Sequence, residues 1–505
     1  MNPPFIRPTG HEGDKIGVPV PMFAAFDSSD DEQRLMSKAM KRLTAGTSYH
    51  GNAGEASAFL PIADRKLKAG GTLALIMPLS LMSGNSWEAS RELLAKNYSG
   101  LIFGSIAGAG SGDMSFSADT GMGECLIVGR KEAVGSNRAT FVVFKERPSS
   151  TLLGASVARQ LRGLIAEGKL RQLEDGPFGG TTLYFGEEIV GQAMDAPLPA
   201  SGGWNLARIA DLALAQAAHQ IINGNIWLPA MNKSEATPVP ITIVSQIGKV
   251  GPYHSDINGQ TVNKKGQESI RGPFNIKMVP AGSVPTYPAL WAHAAERETT
   301  LMFEGDKEAQ LKSPQKTAER EAVDLKASLV WASASHCHFN QNFQFNSQPT
   351  PMQFTPRLTI GGRAWPSIQL ANAKQEKALV LWANSSLGLL VHWWVANKQQ
   401  SGRGNITPKV LQSLPILNVA ALTKIQMDSA VRIFDDICLK PLLPIHNIAE
   451  DPTRRELDER LGREVLGMSD SLLLPGGAVE VLRMKMAQEP SIRGRKSNEI
   501  DEDEN

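Results

Sequence analysis

"ECLIVGRK", residues 124–131, decides how the first third of this 505-residue chain folds. Cys125 to Val128 are an apolar run closed by Arg130 and Lys131, which has the length and composition of a strand. The strand candidate before it, "LIFGSIA" (101–107), is separated from it by a Gly- and Ser-rich loop, 108–123, with no helical pattern. Parallel neighbours need a crossover, usually a helix. The two strands are therefore expected to be antiparallel. Upstream, "TLALIMP" (72–78) reads as a buried parallel strand stopped by Pro78, and the helical pattern "EASAFLPIADRKLKAG" (55–70) leads into it. "WEASRELLAKN" (87–97) is a second helix, with Asn85 and Glu88 as a predicted capping pair. Further out, "DSSDDEQRLMSKAMKRLTAG" (27–46) carries a capping box at Ser29 and Glu32. Leu35, Met36, Met40 and Leu43 share one face of it, and Gly46 ends it. The expected fold class is α/β: part of a doubly wound sheet with a reversed last strand, followed by a mixed α+β domain.

Composition bounds the function without naming it. Lys and Arg number 52 against 51 acidic residues, so any polyanion-binding surface must be a local patch. Cys125, Cys337 and Cys438 lie far apart and include no CxxC pair, which predicts neither a disulfide framework nor a zinc site. "HCHFNQNFQFN" (336–346) holds His336, Cys337 and His338, but no fourth ligand is spaced nearby, and a buried strand explains the trio; no metal is expected. There is no secretory leader pattern and no apolar run near the roughly 18 residues of a membrane span. The chain reads as soluble, cytoplasmic and without a membrane partner.

Four regions follow from the pattern. Residues 1–145 hold the alternating helices and strands. Residues 146–224 read as a helical connector, with helices in "TLLGASVARQLRGLIAEGKL" (151–170) and "WNLARIADLALAQAAHQII" (204–222) around Gly- and Pro-rich stretches. Residues 225–420 are strand-rich and irregular, as in "TPVPITIVSQIGKVGPY" (237–253), and end in "KQEKALVLWANSSLGLLVHWWVANKQQSGRGN" (374–405), predicted as one helix of about six turns. Residues 421–505 read as helical, with "RKSNEIDEDEN" (495–505) as a disordered tail.

The chain opens with "MNPPF" (1–5). Followed in order by "GGTLALIMPLSLMSG" (70–84) and "FSADTGMGECLIVGRK" (116–131), it resembles the second half of the catalytic domain of N6-adenine-specific DNA methyltransferases. The resemblance covers residues 1–145 and, more loosely, 225–417, where "ITPKVLQSLPILNV" (406–419) resembles the target-recognition region of the same enzymes and of related restriction-modification proteins. It implies S-adenosylmethionine as methyl donor and an adenine flipped from double-stranded DNA as acceptor. It also implies the site residues Asn2, Pro3, Pro4 and Phe5. The adenine amine is a poor nucleophile because its lone pair is delocalised. The Asn2 side-chain oxygen and the Pro3 carbonyl are two acceptors for its protons, two prolines stiffen the loop, and Phe5 stacks on the base. Phe116 is implied as the other wall of the pocket.

In the family the cofactor-binding strands precede this loop, which implies that Met1 is an internal methionine or that a second chain supplies the cofactor half. Gly108, Gly110 and Gly112 follow a strand and are an alternative cofactor turn, but no helical pattern follows them, and a loop between antiparallel strands explains them better. The other class of function is a non-catalytic DNA-specificity subunit, or an inactive fragment, working with a partner. Cytosine N4 methylation uses similar loops, and NPPF favours adenine by resemblance.

Reading DNA calls for Arg, Lys, Asn and Gln on exposed loops. "NKQQSGRGNITPK" (397–409) supplies Lys398, Gln399, Gln400, Arg403, Asn405 and Lys409, with glycines for close backbone approach; a solvated helix C-terminus carries the same residue types. Arg357 and Arg363 in "TPRLTIGGRAW" (355–365) are further candidates. Trp393 and Trp394 are expected to pack in the core.

Overall fold

A computed structural model describes residues 3, 29–108, 114–117, 123–200, 202–207, 209–262, 268–277, 286–294, 298–396 and 402–494. It is a mixed α/β structure with several mixed sheets. The chain divides into two compact units, Met1–Gln216 with Asn397–Ser401 and Glu489–Asn505, and Ala217–Ala396 with Gly402–Gln488.

In the first unit α1 (Asp30–Leu43) starts at the predicted capping box, where Ser29 N donates to Glu32 Oε2 at 2.8 Å. The helix closes at Thr44, and Gly46 takes φ 70°, a left-handed value suited to glycine. Next come α2 (Ala56–Lys66), β1 (Thr72–Pro78), α3 (Glu88–Asn97), β2 (Tyr98–Ile106), β3 (Glu124–Lys131), β4 (Arg138–Phe144), α4 (Thr151–Ala166), β5 (Thr181–Phe185) and β6 (Glu188–Pro197). The predicted Asn85–Glu88 capping pair does not form: Asn85–Trp87 make a 3-10 turn and α3 starts at Glu88 without a side-chain cap. Buried Arg91 instead donates to the carbonyls of Leu81 and Gly84, at 2.8 and 2.9 Å, and holds that corner.

Among the described residues these six strands form one sheet in the order β1-β3-β2-β4-β6-β5. β3 is antiparallel to β1 (Leu75 opposite Ile127) and to β2 (Phe103 opposite Ile127), so β1 and β2 point the same way with a reversed strand between them. The antiparallel pairing of β2 and β3 is the one expected from the short connection. The place of β3 is not: it is an interior strand rather than the last. β4 runs parallel to β2, β6 is antiparallel to β4, and β5 at the edge is antiparallel to β6. Six of the seven residues of "RATFVVF" in β4 are buried, so the strand belongs inside a sheet. The region expected as a helical connector therefore holds α4 and a hairpin that turns at Gly186 (φ 63°). Its Gly and Pro residues mark strand ends and close contacts: a Cβ on Gly191 would lie 2.5 Å from the Val143 carbonyl oxygen. One face buries Ile106, Val142, Phe144, Val157, Leu161 and Leu183 together. Phe103 packs on Phe141 and Trp204 with ring centroids 5.4 and 5.0 Å apart. Each such Phe contributes about 1.5–3 kcal/mol on burial.

In the second unit the described strands include β7 (Phe274–Lys277), β8 (Thr286–Leu290), β9 (Lys307–Leu311), β10 (Ser335–Phe339) and β11 (Met352–Gly361), ordered β7-β9-β8-β11-β10. Among the described strands of this sheet, only β8 and β11 pair in parallel. Helix α5 (Thr317–Trp331) lays Ala327 and Val330 against Ile257, Phe274, Ala289 and Ile360. The long helix predicted from residue 374 is instead two helices, α6 (Ala373–Asn384) and α7 (Ser386–Val395), bent by 76°. Asn384 Nδ2 donates to Val380 O and across to Met352 O, both at 2.8 Å, and Ser385 restarts the helix by accepting from Gly388 N at 3.1 Å. Of the two tryptophans expected in the core, Trp393 is buried and Trp394 half-buried. The later helices α8 (Lys424–Ile437), α9 (Pro452–Glu464) and α10 (Ala478–Gln488) belong to the same unit. Buried Arg454 of α9 donates to the Asn384 carbonyl and, at 2.9 Å, to the Pro349 carbonyl. The expected tail, 495–505, lies outside the described residues. Among those residues no single helix is long and apolar enough to cross a membrane, and the bent pair α6–α7 is largely buried in its own unit. Cys125, Cys337 and Cys438 are buried and free.

Candidate functional site

β1, β2 and β4 end at Pro78, Ile106 and Phe144. Pro78 faces Glu124 and Ser105 faces Cys125, so these three carboxyl ends and the start of β3 make one edge of the sheet. Open α/β sheets bind ligands at such an edge. Phe116 lies here, half-buried, with its ring edge-on to Phe144 at 6.2 Å and 86°. The amides of Phe116 and Ser117 both donate to Glu124 Oε2, at 2.7 and 2.8 Å, and Glu124 is itself buried. A carboxylate with two backbone donors makes strong, charge-assisted bonds and pins this loop to the head of β3.

Of the implied catalytic loop, Pro3 is described and buried; Asn2, Pro4 and Phe5 lie outside the described residues, as do Gly110 and Gly112. The described residues of this edge do not by themselves make a site for S-adenosylmethionine, because the carboxylate of Glu124 is already committed to the Phe116–Ser117 amides. A groove of about 640 Å³ does open on the first unit, lined by Arg91, Lys96, Val134, Leu198 and Trp204 among others. It lies by the residues that precede β2 and β4, at the opposite edge, and its size alone does not make it the reactive site.

The second unit carries those predicted DNA-contacting residues that are described. Arg357, Arg363, Arg403 and Lys409 are exposed, Asn405 is half-buried, and Lys398, Gln399 and Gln400 lie outside the described residues. Arg357, on β11, is engaged with Glu304 at 3.4 Å. Arg363 holds φ 52°, unusual for a side chain of its size, and its carbonyl accepts from Gln341 Nε2. Arg403 stands opposite Gln344 in an antiparallel bridge. Arg363 and Arg403 are thus brought to one loop, 340–348. The glycines predicted to admit a ligand backbone admit this loop instead: a Cβ on Gly404 would lie 2.4 Å from the Phe345 ring, and one on Gly402 would lie 2.7 Å from the Asn346 side chain.

That loop was missed in the sequence because it adjoins the His-Cys-His trio. The signal available was its alternation: Phe343 and Phe345 are buried, while Asn342, Gln344 and Ser347 are exposed. The trio is structural packing. His336 Nδ1 donates to Thr355 O at 2.7 Å and its ring stacks on Phe354. Buried His338 donates from Nε2 to Ser335 O at 3.1 Å, and burial lowers its pKa to about 3. Burial also pushes the Cys337 thiol well above its ordinary range. Among the described residues no three His, Cys, Asp or Glu side chains cluster as a metal site.

No protein-family model matches the chain and no curated protein matches it. Among solved structures it is similar to the type IIG restriction endonuclease BpuSI, at 11% identity over 92% of this chain and 52% of that one, TM-score 0.34. It is similar to the type IIL restriction-modification enzyme MmeI in complex with DNA, at 10% identity over 97% and 56%, TM-score 0.40. A chain of a type I restriction-modification system matches at 16% identity over 33% and 30%, TM-score 0.20. These structural neighbours are restriction-modification enzymes, and the chain spans about half the length of the first two.

Proposed function

We propose that this chain is part of a site-specific DNA methyltransferase of a restriction-modification or phage-defence system, moving the methyl group of S-adenosylmethionine to N6 of a flipped adenine in double-stranded DNA. The observation that carries this reading is the order of NPPF at residues 2–5, the β1 block and the β3 block, with β1 and β2 pointing the same way around a reversed β3. The methyl donor enters from the family resemblance. When bound it supplies an activated methyl group, and this chain's residues position the acceptor. The Asn2 side-chain oxygen and the Pro3 carbonyl accept hydrogen bonds from the two amine N–H groups and leave the nitrogen lone pair aimed away from the ring, Pro3 and Pro4 keep the acceptors in place, and Phe5 and Phe116 hold the base between apolar faces. The loop holding Phe116 is pinned by Glu124.

The test is transfer of labelled methyl from S-adenosylmethionine to duplex DNA by the purified chain, alone and with any co-purifying partner, followed by nucleoside analysis. Label in N6-methyladenine is expected, and Asn2→Ala should lower transfer by about 10²-fold or more with DNA binding kept. Label in N4-methylcytosine overturns the adenine assignment. Transfer only with a second chain present places the cofactor half there, and no transfer with or without it leaves a DNA-specificity role.

A further inference from the structure

We propose that the ribbon made by Gln341–Phe345 and Gly402–Ile406 is the element that enters the major groove of DNA, and that Gln344 and Arg403 read base edges there. This rests on duplex DNA being the partner, as proposed above. The two segments pair antiparallel: Phe345 N donates to Gly402 O at 2.7 Å, Gly404 N to Phe343 O at 2.8 Å and Ile406 N to Gln341 O at 3.1 Å. Residues directly opposite on such a pair project on the same face. Gln344 and Arg403 are opposite and both exposed, so they share the outer face, and Phe343 and Phe345, alternating with Gln344, fill the inner one.

The inner face makes the ribbon stiff. Phe343 and Phe345 pack edge to face at 5.0 Å and both rings contact the buried His392 ring, at 5.2 and 5.3 Å. His392 Nε2 donates to Gly404 O at 2.7 Å, tying the second segment to the same anchor. Gln348 closes the loop: its Oε1 accepts from Gln344 N at 2.8 Å and from Asn340 Nδ2 at 3.2 Å, and its Nε2 donates to Glu298 Oε2 at 3.0 Å. A reading element held before the ligand arrives loses little entropy on binding.

The outer face suits a polyanion. Segments 339–350, 361–372 and 402–414 contain no Asp or Glu, and Arg363, Arg403 and Lys409 are exposed on them. The acidic group nearest in the network, Glu298, is buried and accepts from Ala294 N as well as from Gln348. The major groove admits a two-stranded ribbon, and the residue types fit its code: Arg is bidentate to guanine O6 and N7, and Gln to adenine N6 and N7. Arg363, held against Gln341 from the other side, is placed for phosphate.

The experiment is selection of duplexes from a randomised library by the full chain, with Q344A, R403A and R403K compared, and with affinity for a random duplex and thermal melting measured for each. Both substituted positions carry exposed side chains, and unchanged melting shows the fold is kept. R403A and R403K should each lose preference for one G·C pair by about tenfold or more, since lysine keeps the charge and lacks the fork. R403K should keep its affinity for the random duplex within about twofold. Q344A should lose preference at a neighbouring pair. Unchanged preferences in all three variants overturn the ribbon as reader while leaving DNA binding and methyl transfer standing. A wild-type chain that selects no duplex, or binds single strands better, overturns both the groove assignment and duplex DNA as partner. Selection altered as expected in a chain that transfers no methyl group upholds the ribbon and sinks the catalytic reading alone.

Discussion

His338, opposite Gln353, follows the point where the β10–β11 register slips between Ser335 and Cys337. The bulge re-aims the chain, and the imidazole is fully buried with Ser335 O as acceptor for its Nε2 proton. Its pKa is lowered to about 3. The ordinary unfolded value is about 6.5, so below that pH the unfolded chain binds a proton that the folded chain refuses. Stability from this group is therefore complete above about pH 6.5 and falls toward pH 3 by up to about 1.4 kcal/mol per pH unit. Urea midpoints at pH 7.5 and 5.0 check this: His338→Gln should lose clearly less stability over the interval than the wild type, and equal losses would assign the effect to another group. That a buried strand accounts for the trio was legible from its spacing. The bulge was not, because it depends on the partner strand.

The corner between α6 and α7 shows what local pattern conceals. Residues 374–396 read as apolar and helical, and they are; Asn384, Ser385 and Ser386 read as tolerable interior positions of one helix. The break arises from partners far along the chain: Met352 O takes Asn384 Nδ2, Asp458 Oδ1 accepts from Ser386 N at 2.8 Å, and Arg454 takes the Asn384 carbonyl. Ser385→Ala should cost about 1 kcal/mol, the usual loss of an N-cap. Gly388→Ala should cost more, about 3 kcal/mol, because its Cβ would meet the Trp382 carbonyl oxygen at 2.1 Å and Ala383 Cα at 2.9 Å. Denaturant melts of the two variants give the order, and Ser385→Ala being the worse would show that the helices are not so tightly nested. Strands β5 and β6 were hidden in the same way, by Gly and Pro residues that read as linker and turn out to permit close backbone approach.

Over the whole molecule charge nearly cancels, at a formal +1, so affinity for a polyanion must come from a few side chains. Each phosphate neutralised adds about 0.9 to the slope of log affinity against log salt. Arg363→Ala and Lys409→Ala should each reduce that slope for duplex DNA by about one. Arg403 read as a base contact should cost affinity with a smaller change of slope. Arg357→Ala should change it least, since Glu304 already faces that guanidinium. Equal reductions from Arg357 and Arg363 would show that the basic surface extends to Arg357.

The amino-acid sequence by itself determined the alternating helices and strands of the first unit, the reversal of β3, the capping box at Ser29 and the residue types of the proposed catalytic loop. These depend on local periodicity, connection length and short-range hydrogen bonds, which neighbouring residues settle between themselves. Only the tertiary structure decided that β3 lies inside the sheet, that 181–197 extends it, that α6 and α7 part at Ser385, and that Gln344 and Arg403 face the same way. Each of those depends on pairing or packing between segments tens of residues apart, where the free energy comes from shared burial and cross-strand bonds that no single segment carries.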